Sequence, residues 1–460
     1  MTKPNTLLFI FTMFLLISCK ESTEDEDNQA NDLVVNQETE LSDDELLEKV
    51  QKQTLKYFWD FAEPNSGMAR ERYHPDGNYP KNDPDVVTTG GTGFGLMAIV
   101  VGMEREYIPR EEAVARLDTI ADFLKNADRY HGAWAHWING KTGRTSAFSE
   151  KDDGGDIVET SFLAQGFLVV REYLQKGNEN EQKVAAKYDE LWNGIEWNWY
   201  TNNRDGILWH WSPKFGFEKN FLIEGYNECL ITYVMAASSP KHAIEPSVYH
   251  EGWARSGNIT TKNEAYGFPL VLKHNTSGDK GGPLFWAHYS YLGLNPTNLT
   301  DEYGNYWDVT RNHSLINYKY CVENPENYET YSKQSWGLTA SYTRNEDGSI
   351  GYTAHSPDND RGVVSPTAAV SSLPYTPEES LRAMRHFYVD LKNLLWGPAG
   401  FYDAFSMEGE PWVAARYLAI DQGPQVVMIE NYRSGLIWDL LMGAPEVQQG
   451  LEKLGFSVQK

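Results

Sequence analysis

Apolar residues recur every three or four positions along most of the chain after residue 41, in runs separated by loops of glycine, aromatic and polar residues. That period puts apolar side chains on one helix face, and predicts helices at 44–62, 93–106, 110–127, 156–175, 182–199 and 226–237. Later helices are predicted at 286–292, 311–321, 377–395 and 425–442. Strand-like alternation is short and scattered, best at 206–211 and 350–353. Pro109, Pro240 and Pro377 stand where helices begin or part, and Gly90-Gly91 precedes another start. About ten to twelve helices without βαβ alternation predict an all-α toroid, and no motif repeats at the fixed period of an α-solenoid. No linker-like composition interrupts residues 42–460, which read as one domain.

The N-terminus breaks this pattern. One lysine precedes an apolar run from Leu7 to Ile17, followed by Ser18 and Cys19. The run is short for a membrane span and fits a signal peptide. Leu16-Ile17-Ser18-Cys19 has the form of a lipobox in which Cys19 is acylated, so residues 1–19 read as a lipoprotein signal. An ordinary cleaved signal with an incidental cysteine is the other reading. Residues 20–41 are acidic and poor in aromatics, too polar to bury a core, and read as a disordered tether. The expected address is the outer membrane, reached through a lipid anchor, on its periplasmic face or the cell surface.

Charge and cysteine content narrow the partners. A net charge of -25 argues against nucleic acid, whose phosphates need clustered Lys and Arg. Beyond Cys19 only Cys229 and Cys321 remain, with no CxxC, so no structural zinc site is expected. The two either pair or stay as buried thiols. A monomer is expected.

Four loops, GAWAHWINGKTG, GILWHWSPKFGFEKNF, GGPLFWAHYSYLGL and FYDAFS, set Trp, Tyr and Phe beside Asn, Asp, His and Lys. Flat apolar faces beside polar groups suit a sugar ring. Other motifs fall away on inspection. HEGWA has Ala254 where a zincin needs its second histidine, NGKTG has Ala135 where a P-loop needs glycine, and no GxSxG occurs. DDGGDIVE starts like a calcium loop, but Gly154 has no side chain for the third ligand and Leu163 occupies the twelfth position.

The acids carry the chemistry. KDDGGDIVETSFLAQG gathers Asp152, Asp153, Asp156 and Glu159 at a helix start, with Asp156 and Glu159 spaced for one helix face. Capping accounts for one or two of them. Glu228, in GYNECLITYV, leads into an apolar segment where burial raises a carboxyl pKa as a general acid requires, or is a surface residue at a helix start. Asp403 and Asp421 stand in later loops, and either contribute to the site or cap helices and pair with arginines.

With these motifs in hand, the chain from about residue 40 to 456 resembles the glycoamylase-domain family of Bacteroidetes lipoproteins. More narrowly it is similar to glycoside hydrolase family 144, the endo-β-1,2-glucanases. The likeness rests on TGGTGFGL, DRYHGAWAHWINGKTG, KDDGGDIVETSFLAQG, WHWSPKFGFEKNF, GYNECLITYV, GGPLFWAHYS, AHSPDNDRGVVSPTAA and AIDQGPQVVMIENYRSGLIWDL. The resemblance implies an (α/α)6 barrel, cleavage inside β-1,2-glucan chains to sophoro-oligosaccharides, inversion and no cofactor. It implicates Asp152, Asp156, Glu159, Glu228 and Asp421. On that basis Glu228 is expected as general acid and the Asp156/Glu159 group as base or water-holding carboxylates. Asp152 and Asp421 are expected to position the sugar or to serve as alternative bases. Expected substrate walls are Trp134, Trp137, Trp209, Trp211, Trp286 and Trp412, half of which could equally be core. Arg70, Arg72, Lys214, His288, Arg361 and Asp403 are expected to bind sugar hydroxyls, the cations having an equal claim to internal ion pairs. A non-catalytic surface glucan-binding lipoprotein, and a transglycosylase or exo-glycosidase on a related β-glucan, are the alternatives.

Overall fold

The first helix, α1 (Asp43–Trp59), carries Asp43, Asp44 and Glu45 in its first turn and Lys56 in its last, charges that complement the helix dipole. It buries one face through Leu46, Leu47, Val50, Leu55 and Phe58. The computed structural model describes residues 41–79, 84–276, 278–345 and 347–458. The signal-peptide and lipobox readings, Cys19 and all of the tether before Leu41 lie outside the described residues. Residues 43–460 form one compact unit. Among the described residues no helix is long and apolar enough to cross a membrane.

The fold is mostly helical. After α1 come α2 (Thr89–Glu104), α3 (Arg110–Asn126), α4 (Ile157–Leu174), α5 (Glu179–Asn193), α6 (Leu230–Ser238) and α7 (Tyr306–Glu323). They are followed by α8 (Pro366–Ser371), α9 (Pro377–Arg385), α10 (Lys392–Leu395), α11 (Ala419–Arg433), α12 (Leu436–Gly443) and α13 (Pro445–Lys453). Two kinds of helix alternate early in the chain. α1, α3 and α5 bury one stripe, whereas α2, α4 and α6 are buried nearly all round, as is most of α11. α2 and α4 cross at backbone contact: a Cβ on Gly93 would lie 2.1 Å from the Phe162 carbonyl oxygen, so neither side chain nor tilt could be inserted there.

Short antiparallel strands introduce three of the buried helices. Val86–Thr88 pairs with Trp137–Asn139 and runs into α2, and Gly155–Asp156 pairs with His210–Trp211 and runs into α4. Tyr417–Leu418 pairs with Arg72–Tyr73 and runs into α11. The strands therefore fix where each helix begins.

The structure corrects several expected boundaries. The helix expected at 182–199 ends at Asn193 and resumes as a 3-10 turn, Trp197–Thr201. The one expected at 286–292 is two 3-10 turns, Leu284–Ala287 and Ser290–Leu292. That at 377–395 is α9, a π turn at His386–Asp390, and α10. The 425–442 prediction merges α11 with α12 across Gly435, whose φ of 75° ends a right-handed helix, and it misses the start of α11 at Ala419. A helix buried on all sides has no polar face, so its apolar pattern carries no phase. Only His210–Trp211 of the 206–211 prediction is strand; 350–353 falls in Ile350–Ala354, whose hairpin partner Ala340–Arg344 was not predicted. Cys229 and Cys321 are buried free thiols.

Candidate active site

One cavity of about 390 Å³ opens at the N-terminal ends of the buried helices. Thr88 precedes α2, Glu159 and Phe162 lie in α4, Glu228 stands just before α6, and Leu418 and Ile420 flank the start of α11; all line it. Helix N-termini offer unpaired N–H groups and a positive dipole end, which favour carboxylates. The segments between the helices add His136, Trp137, Phe148, Trp209, Phe285 and Tyr289, and also Glu71, Arg72, Ala340 and Tyr352.

The opening of α4 is built by two glycines. A Cβ on Gly154 would lie 2.2 Å from the Trp211 carbonyl oxygen, and one on Gly155 would lie 2.0 Å from the Tyr200 hydroxyl. Only glycine lets the turn pack that close, and the turn sets the positions of the acids around it. Asp156 caps α4: Oδ1 accepts from the Val158 and Glu159 N–H groups at 3.0 and 2.9 Å. Its Oδ2 lies 3.0 Å from His136 Nδ1 and accepts from Trp209 Nε1 at 3.1 Å. Asp156 is fully buried, yet His136 and the capping N–H hold its pKa below the usual carboxylate range against desolvation. Asp152 is buried beside it, with Oδ2 2.6 Å from Lys219 Nζ and Oδ1 3.2 Å from His210 Nε2. Asp153 accepts from Ser212 at 2.6 Å and pairs with Lys214 at 3.1 Å.

Of the opening-motif acids, Glu159 is the one that lines the cavity. Its Oε2 accepts the Gly90 N–H of α2 at 2.8 Å, and Oε1 lies 4.0 Å from His136 Nε2. Burial pushes its pKa up to about 7, against the pull of His136. Burial alone would lower the imidazole of His136, but Glu159 and Asp156 push it up to about 9, so it is a cation at neutral pH. Glu228 lines the same cavity with no Lys, Arg or His ion pair among the described residues. Burial, with a contribution from the charge of Glu159, raises it to about 7. A cation and two carboxyls of raised pKa thus share one cavity.

His136, Asp152 and Asp156 bring one ligand atom each within 4.8 Å of one another, a spacing a metal ion could use. Most of their lone pairs are already engaged, Asp152 Oδ1 being the one oxygen that takes no hydrogen bond among the described residues. Both oxygens of Asp156 serve protein donors, His136 Nδ1 is directed at Asp156, and Lys219 neutralises Asp152. The donor set fits an ion-paired cluster better than a metal centre.

Asp403 and Asp421 meet behind the cavity wall. Both are buried, and they sit close enough to act on each other's proton, with Asp403 Oδ1 and Asp421 Oδ2 taking no other hydrogen bond among the described residues. Burial raises Asp403 to about 6, and burial with the Asp403 charge raises Asp421 well above its ordinary value. Asp403 Oδ2 also accepts the Tyr342 N–H at 2.7 Å, fastening the hairpin that carries Tyr352. Neither acid lines the cavity.

The remaining expected residues divide. Trp137, Trp209 and Arg72 line the cavity, Arg72 paired with Glu71. Trp134 does not: it is fully buried, donates to the Leu124 carbonyl at 3.0 Å, and belongs to the core. His288 is also corrected: it is buried with Nε2 3.0 Å from Ser372, is pushed down to about 3 by desolvation and so is neutral, and does not line the cavity. Arg70 is committed to the carbonyls of Phe61 and Pro84. Lys214 stands at the surface on Asp153. Trp211 meets Tyr130 at a tilt and His131 edge-on, Trp286 meets His274 at a tilt and Tyr226 edge-on, and Trp412 packs beside a small cluster around Tyr342. Arg361 lines a separate polar cleft with Arg344 and Asp358.

Sequence reasoning missed His136, Glu71, Phe148, Tyr289 and Tyr352 in the cavity wall. His136 had a signal: it is the polar residue between Trp134 and Trp137 in an aromatic loop. Phe148 and Tyr352 are two of the large apolar side chains left exposed, at 49% and 53%.

A family model described as "Glycoamylase: Putative glucoamylase" matches residues 220–445. Among solved structures, an endo-β-1,2-glucanase from Chitinophaga pinensis, in complex with sophorotriose and glucose, is 56% identical. The match covers 91% of this chain and 99% of that one with a TM-score of 0.88. The chain belongs to the glycoamylase-domain family. A second family structure, described as a "putative glucoamylase" from Bacteroides caccae, is 52% identical over 91% of this chain and 100% of that one, with a TM-score of 0.88. A curated family relative from Parabacteroides distasonis, an exo β-1,2-glucooligosaccharide sophorohydrolase (non-reducing end), is 42% identical over 435 residues. That match takes in 90% of this chain, which spans 58% of the relative's length.

Proposed function

We propose that this protein is an inverting glycoside hydrolase that cuts inside β-1,2-glucan to release sophoro-oligosaccharides. The observation that carries the reading is the unequal setting of two carboxyls in one cavity. Glu159 has the His136 cation 4.0 Å away and a backbone N–H at 2.8 Å, which favour its ionised form. Glu228 has neither an imidazolium nor an ammonium against it; burial raises both carboxyls to about 7, so this difference in partners, not in pKa, divides their roles. Glu228 is therefore the general acid that protonates the leaving oxygen, and Glu159 the base that takes a proton from water. Asp156 orients His136 and the first turn of α4. Trp137, Trp209, Phe148 and Tyr352 supply flat walls for sugar rings.

β-1,2-linkage specificity is supported by the relatives, both of which act on that linkage by their names. Endo action follows the Chitinophaga pinensis enzyme, which this chain matches over nearly its whole length. The exo relative supports a second reading, release of sophorose from non-reducing ends. The size distribution of early products from linear β-1,2-glucan decides: mid-length oligosaccharides and a rapid fall in viscosity mean endo action, sophorose alone means exo. Proton NMR of the first-formed anomer tests inversion, which predicts the α-product. No reducing-sugar release would leave a binding protein instead.

The alternation of one-faced and fully buried helices supports an (α/α)6 toroid, with the active cavity at one end. The N-terminal sequence supports a lipoprotein anchored to the outer membrane through Cys19. Loss of membrane association and of acyl labelling on Cys19→Ala is the expected result.

A further inference from the structure

Outside the cavity, one exposed tryptophan has a surrounding that packing does not explain. Trp199 is 41% exposed, and its inner face stacks on His131 with ring centroids 3.7 Å apart and planes 14° apart. His131 is held by Glu196, with Nδ1 3.2 Å from Oε2. The indole is thus rigid, with its outer face turned to a shallow depression of about 250 Å³.

The depression has amide chemistry. Asn198, Asn202 and Asn203 line it with Phe217 and Glu196, and the three side-chain amides make no hydrogen bond among the described residues. Asn202 and Asn203 have φ of 48° and 59°, left-handed conformations that asparagine tolerates and that turn the chain around the indole. No Lys or Arg lines it, so a phosphate or another anion finds no partner. A rigid flat face, free amides and one carboxylate fit a neutral polyhydroxylated ring.

An aromatic row joins this depression to the cavity. Trp209 lines the cavity, and Trp211 stands two residues on, in the strand His210–Trp211. Trp211 meets His131 at 5.2 Å, and His131 carries Trp199.

We propose that the Trp199 depression is a second glucan-binding site, which holds sugar units of the substrate chain well outside the cleavage cavity. The proposal rests on the glucan-hydrolase reading. A long chain occupies both places, whereas a short oligosaccharide fills the cavity alone, so the site raises affinity for polymer without touching the bond that breaks.

The test is glucan binding to the Glu228→Gln variant with and without Trp199→Ala, beside turnover by otherwise wild-type enzyme carrying Trp199→Ala. Affinity electrophoresis in linear β-1,2-glucan and calorimetry with sophorotriose are the two binding measurements. One stacked ring is worth about 0.5–1.5 kcal/mol, so polymer binding is expected to weaken about two- to tenfold, with sophorotriose binding and kcat unchanged. An Asn202→Ala, Asn203→Ala double variant gives the same pattern without removing the aromatic ring. Unchanged polymer affinity overturns the proposal, and so does an equal loss for sophorotriose, which would report a distorted cavity. Wild-type protein that binds polymer through Trp199 yet cleaves no β-1,2-glucan would instead overturn the catalytic reading alone.

Discussion

His136 Nδ1 lies 3.0 Å from Asp156 Oδ2, and this contact ties a loop histidine to the carboxylate that caps α4. The same imidazole turns its other nitrogen toward Glu159 at 4.0 Å. A cation placed in this way lowers the pKa of the carboxylate it faces, while the carboxylates raise its own, here to about 9.

Removing that cation should raise the pKa of Glu159. His136→Gln keeps a donor for Asp156 but carries no charge, so the acid limb of kcat/KM is expected to move to higher pH. Each unit of that shift is about a tenfold loss at a fixed pH on the limb, so at pH 6 the variant should fall about tenfold or more below wild type. The gap should narrow at pH 8, as Glu159 ionises in both. A pH–rate profile for each protein checks this, and a loss of equal size at every pH would remove the charge argument.

Glu228→Gln removes the proposed acid, and general catalysis of this kind is worth about 10² to 10⁴ in rate. kcat on β-1,2-glucan should fall by that factor, and the alkaline limb set by a group of pKa about 7 should vanish. An aryl sophoroside whose phenolate leaves unprotonated should lose much less. Thermal stability at pH 8 should be equal or higher, because a carboxyl raised from 4.5 to about 7 by burial disfavours the folded state once it ionises. Near-normal turnover of the glucan by this variant would exclude Glu228 as the acid.

How far the site could be read in advance depends on distance along the chain. Asp156 and Glu159 share one turn, and the adjacent Gly154-Gly155 pair marks a close approach, so the cluster at 152–159 was visible as a unit. Its division of labour was not. Asp156 spends all its lone pairs inward while Glu159 faces the cavity, and that depends on where His136, Trp209 and Gly90 arrive from other segments. Trp134 and Trp137 are three residues apart in one loop, yet one is core and the other cavity wall. Residue type does not separate them. The alternation of helices was legible where one face is polar, as in α3, and faded in α11, where none is.

Chelation should leave the enzyme unchanged. In the triad that could hold a cation, His136, Asp152 and Asp156, both oxygens of Asp156 serve Trp209, backbone N–H groups and His136, and Lys219 neutralises Asp152, whose Oδ1 alone takes no hydrogen bond among the described residues. Turnover after dialysis against EDTA is expected to equal that before, and titration with Ca²⁺, Mn²⁺ or Zn²⁺ is expected to produce no heat at this site. Activity restored by one added metal after dialysis would contradict the ion-pair assignment.

The Asp403–Asp421 pair makes the last prediction, and it concerns stability. A carboxyl raised to about 6 in the fold from 3.8 binds its proton more tightly than the unfolded chain does. Its contribution is most favourable at low pH and declines as pH rises from about 4 through 6, the opposite of a salt-bridged carboxylate. Asp403→Asn supplies permanently what the shared proton supplies in acid: its amide can donate to Asp421, and its carbonyl can still accept the Tyr342 N–H. The variant should therefore gain on wild type as pH rises, by about 1 to 3 kcal/mol between pH 4 and pH 8. Denaturant unfolding of both proteins across that range measures the gap. A gap independent of pH would mean that the two acids do not share a proton. The same substitution leaves the hairpin fastened, so KM for the glucan, to which Tyr352 contributes a wall, should stay within about twofold of wild type.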